Sequence, residues 1–256
     1  MAGQAAVQLV AEIIDSIERR SPTTGRPPLP TVRVVEMLRH FLREGVQWRE
    51  LRATVGRACG STLRRRLDSW HAMALLRQVH AVLIRMVRAG PEIMPWDVVV
   101  DSCSARAKHG GELTGPNPTD RGKLGTKYHV VVSTDGIPLG AIPSAANVHD
   151  TRLFPHLLHL ALAVCAGIGR LFGDAGYDSA ENRGMCLRDG IQPQIRRIGE
   201  PHGSGLGAVR HVVEHDCAWL LANKRLDRRQ DRLGRVILAL LTTACIFIVA
   251  NRVRGF

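Results

Sequence analysis

The feature of this sequence that most restricts its fold is a change of hydrophobic period near Met94. Before that point, apolar residues recur at helical spacing, as in the segment "TVRVVEMLRHFLREG". After it, runs of β-branched residues alternate with turn signals, as in "WDVVVDS" and "YHVVVSTDG". The change predicts an N-terminal helical region over residues 1–93 and a mixed α/β domain over residues 94–256.

The helical region has the pattern of a small DNA-binding module. Its periodicity predicts a helix over 5–20, a proline-rich linker over 21–30 and a helix over 31–45. A further helix is predicted over 46–56, and the next begins at Ser61 and carries three arginines in its early turns, Arg64, Arg65 and Arg66. Short helices, a glycine-containing turn and an arginine-bearing helix are typical of a helix-turn-helix. A plain helical bundle with a solvated arginine face fits the same pattern, and only the net charge favours DNA binding.

The α/β domain predicts three strands, a helix, a strand, a helix, a strand and further helices. The third strand, "IPLGAIPSA", follows a turn at Asp135 and Gly136. Helices are predicted over 151–166, from Ser179 and over 209–252, with strands "GRLFGDAGY" and "IQPQIRRI" between them. Because the first three strands can form an antiparallel meander, this order fits an α/β fold of the RNase H-like type, a mixed sheet with flanking helices, better than a doubly wound parallel sheet.

The charge of the chain predicts a polyanionic partner. Lys and Arg number 35 against 23 Asp and Glu, which leaves a net charge of +12 over 256 residues. The excess is even, with +6 in residues 1–100 and +6 in residues 101–256. A basic tail is therefore excluded, and a nucleic-acid footprint across the whole body is the expectation.

The cysteines and the apolar segments predict a cytoplasmic protein. The six cysteines are scattered, with no CxxC pair and no histidine at ligand spacing, so neither a disulfide framework nor a zinc site is expected. The N-terminus lacks the layout of a signal peptide. The apolar run at 236–250 is shorter than the roughly 20 residues of a membrane span, so we expect a buried helix and no membrane partner.

Three acidic residues stand where metal ligands would be useful. Asp101 closes the first strand, Asp174 closes the fourth and Glu214 opens the predicted C-terminal helix. Strands one and four can be neighbours in such a sheet, which would bring both aspartates to one edge beside that helix. Carboxylates gathered without basic partners repel each other, and divalent cations with a preference for oxygen ligands remove that difficulty. Two such ions, Mg²⁺ or Mn²⁺, about 4 Å apart would activate an attacking oxygen and stabilise a leaving one in phosphodiester displacement.

Each of these acids also has an ordinary explanation. Asp101 and Asp174 could be turn residues at strand ends, and Glu214 could be a first-turn acid favoured by the helix dipole. Only the set of three, on three separate elements of a basic chain, favours a catalytic interpretation.

Three segments resemble the DDE transposases of bacterial insertion sequences, most closely those of the insertion sequence 5 family. They cover residues 119–150, 172–179 and 206–220, and the resemblance runs from about Pro27 to the C-terminus. The most specific residues lie in the first segment: Gly122, Lys123, Gly125, Lys127, His129, Asp135, Gly136, Pro138, Asn147, His149 and Asp150. The resemblance implies an RNase H-like catalytic domain whose catalytic acids are Asp101, Asp174 and Glu214, preceded by a helical DNA-binding region.

The last helix departs from the family signature of a Tyr, an Arg, the Glu and a Lys. Arg210 stands four residues before Glu214, as the signature requires. Gly207 and Leu221 occupy the positions of the Tyr and the Lys. The nearby cations Lys224 and Arg225 are the predicted substitutes for holding the phosphate of the transposon end.

The sequence therefore predicts a transposase that binds terminal inverted repeats in double-stranded DNA, cleaves them by metal-activated hydrolysis and joins the 3′-hydroxyl to target DNA. Pairing two ends implies at least a homodimer. Four cations after the first strand are predicted to line a phosphate track, although a solvated loop explains them equally: Arg106, Lys108, Lys123 and Lys127. The alternatives are an RNase H-like nuclease that cuts without joining, and a non-catalytic DNA-binding protein such as a decayed transposase or repressor.

Overall fold

A computed structural model gives the architecture of the chain. It describes residues 2–18, 28–53, 58–88, 95–197, 199 and 207–253, with the side chains of 2, 207–210 and 213 excepted. Met94, where the sequence changes its hydrophobic period, lies outside these ranges, as do residues 21–27 of the predicted linker 21–30.

The described residues form one six-stranded mixed sheet. Its strands are β1 (Trp96–Arg106), β2 (Gly115–Pro116), β3 (Leu124–Ser133), β4 (Pro138–Ala145), β5 (Ile168–Gly173) and β6 (Gln192–Ile195). The order is β2-β3-β1-β5-β6, and β4 also pairs with β3. The pairs β1–β3 and β3–β4 are antiparallel, whereas β1–β5 and β5–β6 are parallel. The predicted meander followed by parallel strands, and with it the RNase H-like fold class, is confirmed.

The sequence of β1 explains its central place in the sheet. Val98, Val99 and Val100 are buried although successive side chains point to opposite faces. A continuous apolar run of this kind is typical of a strand that is covered on both faces. The predicted turn between β3 and β4 also forms, with Gly136 in the left-handed region at φ 80°. The apolar run ends at Asp101, but β1 continues to Arg106 and Asp101 pairs with Val130 of β3. The prediction that Asp101 closes the first strand is therefore wrong: antiparallel pairing with β3 extends β1 beyond the valine run, whereas its parallel pairing with β5 ends at Val100.

Helices flank the sheet and form the N-terminal region. They are α1 (Ala2–Ile17), α2 (Thr31–Glu44), α3 (Gly60–Ala72), α4 (Leu75–Val87), α5 (Phe154–Leu162), α6 (Ala180–Arg188), α7 (Gly207–Leu221), α8 (Lys224–Asp227) and α9 (Gly234–Val253). Ser179 caps α6 as predicted, accepting a hydrogen bond from the Asn182 amide at 3.0 Å. Glu214 lies in the middle of α7 and does not open a helix.

The predicted helix over 46–56 is wrong. Only a single 3-10 turn forms, at Trp48–Glu50, and the described residues that follow it, 51–53, are not helical. The Gln47 amide donates to the Glu50 carboxylate at 2.7 Å, so the capping groups of this turn are satisfied locally. Conversely, the single helix predicted from Ser61 is two helices, because Ala74 adopts the left-handed conformation at φ 52° between α3 and α4. The helix-turn-helix pattern is therefore not reproduced, since residues 46–53, the described part of the predicted middle helix, contain only this 3-10 turn.

Helix α9 is longer than predicted and lies at the centre of the molecule. By length and composition it could cross a membrane, but 67% of its most apolar window is buried inside the protein. It packs on α1, α3 and α4 on one side and on β4 on the other. The N-terminal helices therefore share one apolar core with the α/β domain, and the domain boundary at 93/94 stays a prediction from sequence.

Candidate active site

The register of the sheet brings two of the predicted acids to one edge. In the parallel pair of β1 and β5, Val100 lies opposite Gly173, so Asp101 and Asp174 are the next residues on neighbouring strands. Asp101 Oδ1 accepts a hydrogen bond from the Ser102 amide at 2.7 Å. Asp174 Oδ1 accepts from the Gly176 amide at 2.9 Å and caps a 3-10 turn. Both carboxylates are thus held by local backbone where the apolar core ends.

A third carboxylate, which the sequence reasoning did not select, stands beside them. Asp150 Oδ2 and Asp174 Oδ1 each lie 3.0 Å from the position that a Cβ on Gly176 would take. Asp150 Oδ1 accepts hydrogen bonds from Lys127 Nζ at 3.0 Å and from Ser102 Oγ at 3.3 Å. Asp150 is one of the specific residues of the first family-like segment, and this was the sequence signal that could have selected it.

Two buried side chains lie behind this group of carboxylates. Burial raises the pKa of Tyr177 well above its ordinary value, and the negative charges of Asp150, Asp101 and Asp174 raise it further. Burial lowers the pKa of His129 to about 4, so the ring is neutral at pH 7. His129 Nδ1 lies 3.4 Å from both the Tyr177 hydroxyl and Asp150 Oδ1. These two residues form the neutral inner wall of the acid site.

Helix α7 brings Glu214 to the same side of the sheet. Cys217 on α7 forms a hydrogen bond with Cys103 on β1, which together with burial raises its pKa, and Asp101 adds to the shift. Glu214 precedes Cys217 by three residues, so both lie on the helix face that packs towards β1. Glu214 is exposed to solvent. By contrast, Asp216 is buried between α7 and α9, and burial raises its pKa to about 7.

The carboxylates at this edge of the sheet are hard oxygen donors, the kind that Mg²⁺ and Mn²⁺ prefer. Asp101 lies within β1, Asp174 directly follows β5, and Glu214 lies on α7, which packs against β1. Within the described residues, no group of three or more His, Cys, Asp and Glu side chains is close enough to hold an ion by itself. One or two carboxylates with substrate phosphate and water are a usual set for Mg²⁺. The residues therefore fit a metal whose coordination is completed by water and by DNA.

The predicted DNA-binding cations divide into two groups. Exposed side chains are those of Arg64, Arg65, Arg106, Lys108, Lys123 and Lys224. Arg66 instead donates twice to Glu18, at 3.0 and 2.9 Å, and Arg225 is buried in an ion pair with Asp231 at 2.7 Å. Lys127 is held by Asp150, and the side chain of Arg210 lies outside the described residues.

An open cleft continues from the end of β1. It has a volume of about 770 Å³ and is lined by Arg106, Lys108, His109 and Arg228, together with Asp120 and Asp227. Arg106 is paired with Asp120 at 2.7 Å, whereas Lys108 and Arg228 are exposed. The cleft joins basic residues to the strand that carries Asp101.

The site thus consists of an RNase H-like mixed sheet with aspartates at adjacent positions of the parallel pair β1 and β5, and a glutamate-bearing helix packed against β1. Residues 93–249 match the model of the transposase DDE domain family. The chain is 38% identical over 183 residues to the "Putative transposase for insertion sequence element IS402" of Burkholderia cepacia, covering 66% of this chain and 83% of that protein. It is 33% identical over 100 residues to an IS402 protein of 16.2 kDa described as uncharacterized, covering 39% of this chain and 68% of that protein. The chain belongs to the DDE transposase domain family of insertion sequences; its narrower placement in the insertion sequence 5 family stays a prediction.

Proposed function

We propose that this protein cleaves DNA at the ends of an insertion sequence and joins the released 3′-hydroxyl to target DNA. The observation that carries the proposal is the adjacent placement of Asp101 and Asp174 on the parallel strands β1 and β5. The family match and the likeness to an insertion-sequence transposase support the reaction class. The ends are expected to be terminal inverted repeats.

The side chains of the acid site divide the chemical work. Asp101, Asp174 and Glu214 would hold two Mg²⁺ or Mn²⁺ ions, which when bound supply Lewis acidity and an activated attacking oxygen. The sheet backbone at β1 and at the end of β5 fixes the two aspartates, so little reorganisation is needed when DNA enters. Glu214 is exposed and beside the same edge, where it can accept a proton from the attacking group. Lys127, held by Asp150, is the cation nearest the scissile phosphate in this arrangement.

The exposed cations supply the phosphate contacts of the proposal. Lys108 and Arg106 line the cleft beside β1, and Lys123 follows on the outer face of the same region. Arg64 and Arg65 extend the footprint to α3, and Lys224 with Arg210 would hold the end phosphate in place of the missing signature residues. Arg66 and Arg225 form ion pairs within the protein, with Glu18 and Asp231, so they are not assigned to DNA. Such contacts give strong salt dependence and little sequence information.

The reaction requires two DNA ends, so we propose a homodimer on paired ends, acting in the cytoplasm on chromosomal DNA. Gly207 and Leu221 stand where the signature has a Tyr and a Lys. The assay described next therefore also tests whether the protein holds the DNA end tightly enough for turnover.

The test is a cleavage and strand-transfer assay on DNA that carries the inverted repeats flanking the gene. With Mg²⁺ or Mn²⁺ the protein is expected to nick at the repeat and to form joined products. Asp174→Asn should abolish both products and leave end binding within about twofold. Asp97→Asn is the matched control, because this carboxylate lies on the same strand β1 but at its opposite end, paired with Arg170.

The outcomes separate the alternatives. Cutting without joined products would identify a nuclease on the same fold. End binding with no metal-dependent product, unchanged by Asp174→Asn, would identify a non-catalytic DNA-binding protein and contradict the proposal.

A further inference from the structure

The outer face of α7 carries a row of exposed rings. His211, His215 and Trp219 recur at intervals of four residues, and all three are exposed. Neighbouring ring centroids are 6.4 Å apart in both pairs, in edge-to-face arrangements. Trp219 keeps 41% of its surface exposed, which is unusual for the largest aromatic side chain. We name these three residues the α7 ring row.

The row ends at a basic pocket. The pocket has a volume of about 310 Å³, and three arginines from two other helices line it with Trp219: Arg39 and Arg43 of α2 and Arg252 of α9. The Arg252 guanidinium lies 5.5 Å from the centroid of the Trp219 ring, and that of Arg39 lies 5.7 Å from the centroid of Phe247. The lining contains two asparagines, Asn223 and Asn251, and no carboxylate.

The three arginines give this pocket a positive charge, which favours the binding of an anion. Arg39 and Arg43 stand one turn apart on α2, and the pKa of Arg39 is lowered by burial and by the charge of Arg43. Arg39 donates a hydrogen bond to the backbone carbonyl of Gly3, which accounts for its position and involves no carboxylate. The pocket therefore offers two kinds of contact: guanidinium groups that can bind phosphate, and an exposed indole ring on which a flat aromatic group can stack.

We propose that the α7 ring row and the arginine pocket bind an unpaired segment of the DNA strand next to the cleavage site. Bases would stack on Trp219 and His215, and phosphates would contact Arg39, Arg43 and Arg252. A single strand presents both groups at short intervals, whereas a paired duplex hides the faces of its bases. The inference rests on the proposed function, because Glu214 lies on the same helix only about 7.5 Å along the axis from Trp219.

The location makes the assignment specific. Glu214 lies on the face of α7 that packs towards β1, whereas Trp219 lies about 140° further round the helix, on its outer side. A strand that leaves the acid site after its partner has been cut would run along α7 and meet the row at His215. The pocket would therefore give the active site an additional contact with the separated DNA strand.

The experiment measures binding of a fluorescein-labelled oligothymidylate to the full chain without divalent metal. The wild type is expected to bind it more tightly than a duplex of the same length, with quenching of tryptophan fluorescence. Trp219→Ala should weaken binding about tenfold or more and remove most of the quenching, and Trp219→Phe should restore the affinity without the quenching. Arg43→Ala should reduce the slope of log affinity against log salt concentration by about 0.7, the value for one lost phosphate contact with a single strand. Arg33→Ala replaces an exposed arginine on the same helix that pairs with Glu36, and it should change neither the affinity nor this slope.

The contrary outcomes are distinct. Equal affinity of Trp219→Ala and wild type for the oligothymidylate would overturn the inference. A change in sedimentation of Trp219→Ala without a change in affinity would identify the face as a contact between two copies of the chain, and would also overturn it. Asp174→Asn should bind the oligothymidylate like the wild type, so a failure of the catalytic proposal is recognised separately.

Discussion

At the scale of single residues, the acid site differs from a trio of equivalent carboxylates. Asp101 lies within β1 and Asp174 directly follows β5, Glu214 is exposed on α7, and Asp150 adds a fourth carboxylate that pairs with Lys127. The cluster thus has one built-in cation, and the remaining negative charge is available for divalent ions. Asp150 escaped the sequence reasoning because its position after β4 has no strand-end pattern, and only the folding of β3 and the loop beside Gly176 brings it to the site.

Asp150→Asn tests this charge balance. The amide preserves the shape and can still accept from Ser102, but the positive charge of Lys127 is then uncompensated and repels a divalent ion. We expect Mn²⁺ binding by the full chain to weaken about tenfold or more, as measured by the loss of the free-Mn²⁺ electron paramagnetic resonance signal. Asp120→Asn is the control, because this exposed carboxylate pairs with Arg106 outside the acid site. Unchanged Mn²⁺ affinity of Asp150→Asn would show that Asp150 has no electrostatic role.

A second residue sets a pH dependence far from the acids. His80 on α4 is fully inside the protein, and burial lowers its pKa from 6.5 to about 4 despite a hydrogen bond to the Pro138 backbone. Between these values the unfolded chain binds more protons than the folded one, so folding stability falls as the pH drops from 6.5 towards 4.

We expect His80 alone to remove about 2 kcal/mol of the free energy of unfolding between pH 7 and pH 5. Urea denaturation of the wild type and His80→Gln at both pH values isolates this contribution, with His40→Gln at an exposed position as the control. Identical losses in wild type and His80→Gln would contradict the assignment.

At the scale of elements, neighbouring cations on the same short helix have different roles. Lys224 and Arg225 follow each other in α8, and the sequence assigned both to DNA. Lys224 pairs with Glu44 at the surface, with 49% and 47% of the two side chains exposed. Arg225 is buried, where it pairs with Asp231, donates to the Val46 carbonyl and packs over Phe41. Composition cannot separate the two, because their difference arises only when α8 docks on α2.

Arg225→Met should therefore destabilise the protein by about 3 kcal/mol, since it leaves Asp231 buried without its partner. Lys224→Met should change stability by less than about 1 kcal/mol, because exposed pairs contribute little. Chemical denaturation measures both, and the double variant Arg225→Met with Asp231→Leu should recover much of the loss. Equal effects of the two single variants would show that the buried pair has no special role.

The elements themselves could be predicted to different degrees. Strands β1 and β3 follow from runs of β-branched residues, β4, β5 and β6 follow from short apolar segments bounded by turn signals, and the meander follows from their order. The N-terminal helices were predicted less well, because the segment after Gly45 has helical periodicity but folds as one capped 3-10 turn at Trp48–Glu50. Tertiary contacts determine the conformation of this segment, because Trp48 Nε1 donates a hydrogen bond to Asp231 at 2.8 Å and so joins the segment to the C-terminal half of the chain.

At the scale of the whole molecule, α9 joins the two predicted domains. Its apolar composition follows from packing on all sides, against α1, α3 and α4 and against β4. The same property gives it the hydropathy of a membrane span, so composition alone cannot distinguish the two environments. Sequence periodicity predicted the change from helices to strands, which the described residues show, but it could not show that the last helix packs on the N-terminal helices.

Residues 94–256 produced alone should therefore lose cooperative folding. Without α1, α3 and α4 the buried face of α9 would contact water, and we expect a broad thermal transition and binding of a hydrophobic dye. The full chain is the control and should unfold in one sharp transition with no dye binding. A sharp transition of the isolated segment would show that the α/β domain is independent of the N-terminal helices.

The central claim is that carboxylates from β1 and β5 form a divalent metal site. Titration of the full chain with Mn²⁺, followed by electron paramagnetic resonance, tests it without knowledge of the DNA ends. Wild type and Asp97→Asn should bind Mn²⁺ with equal affinity, whereas Asp101→Asn and Asp174→Asn should each weaken binding about tenfold or more. If Asp101→Asn and Asp174→Asn bind Mn²⁺ as the wild type does, the metal site is elsewhere and the account is contradicted.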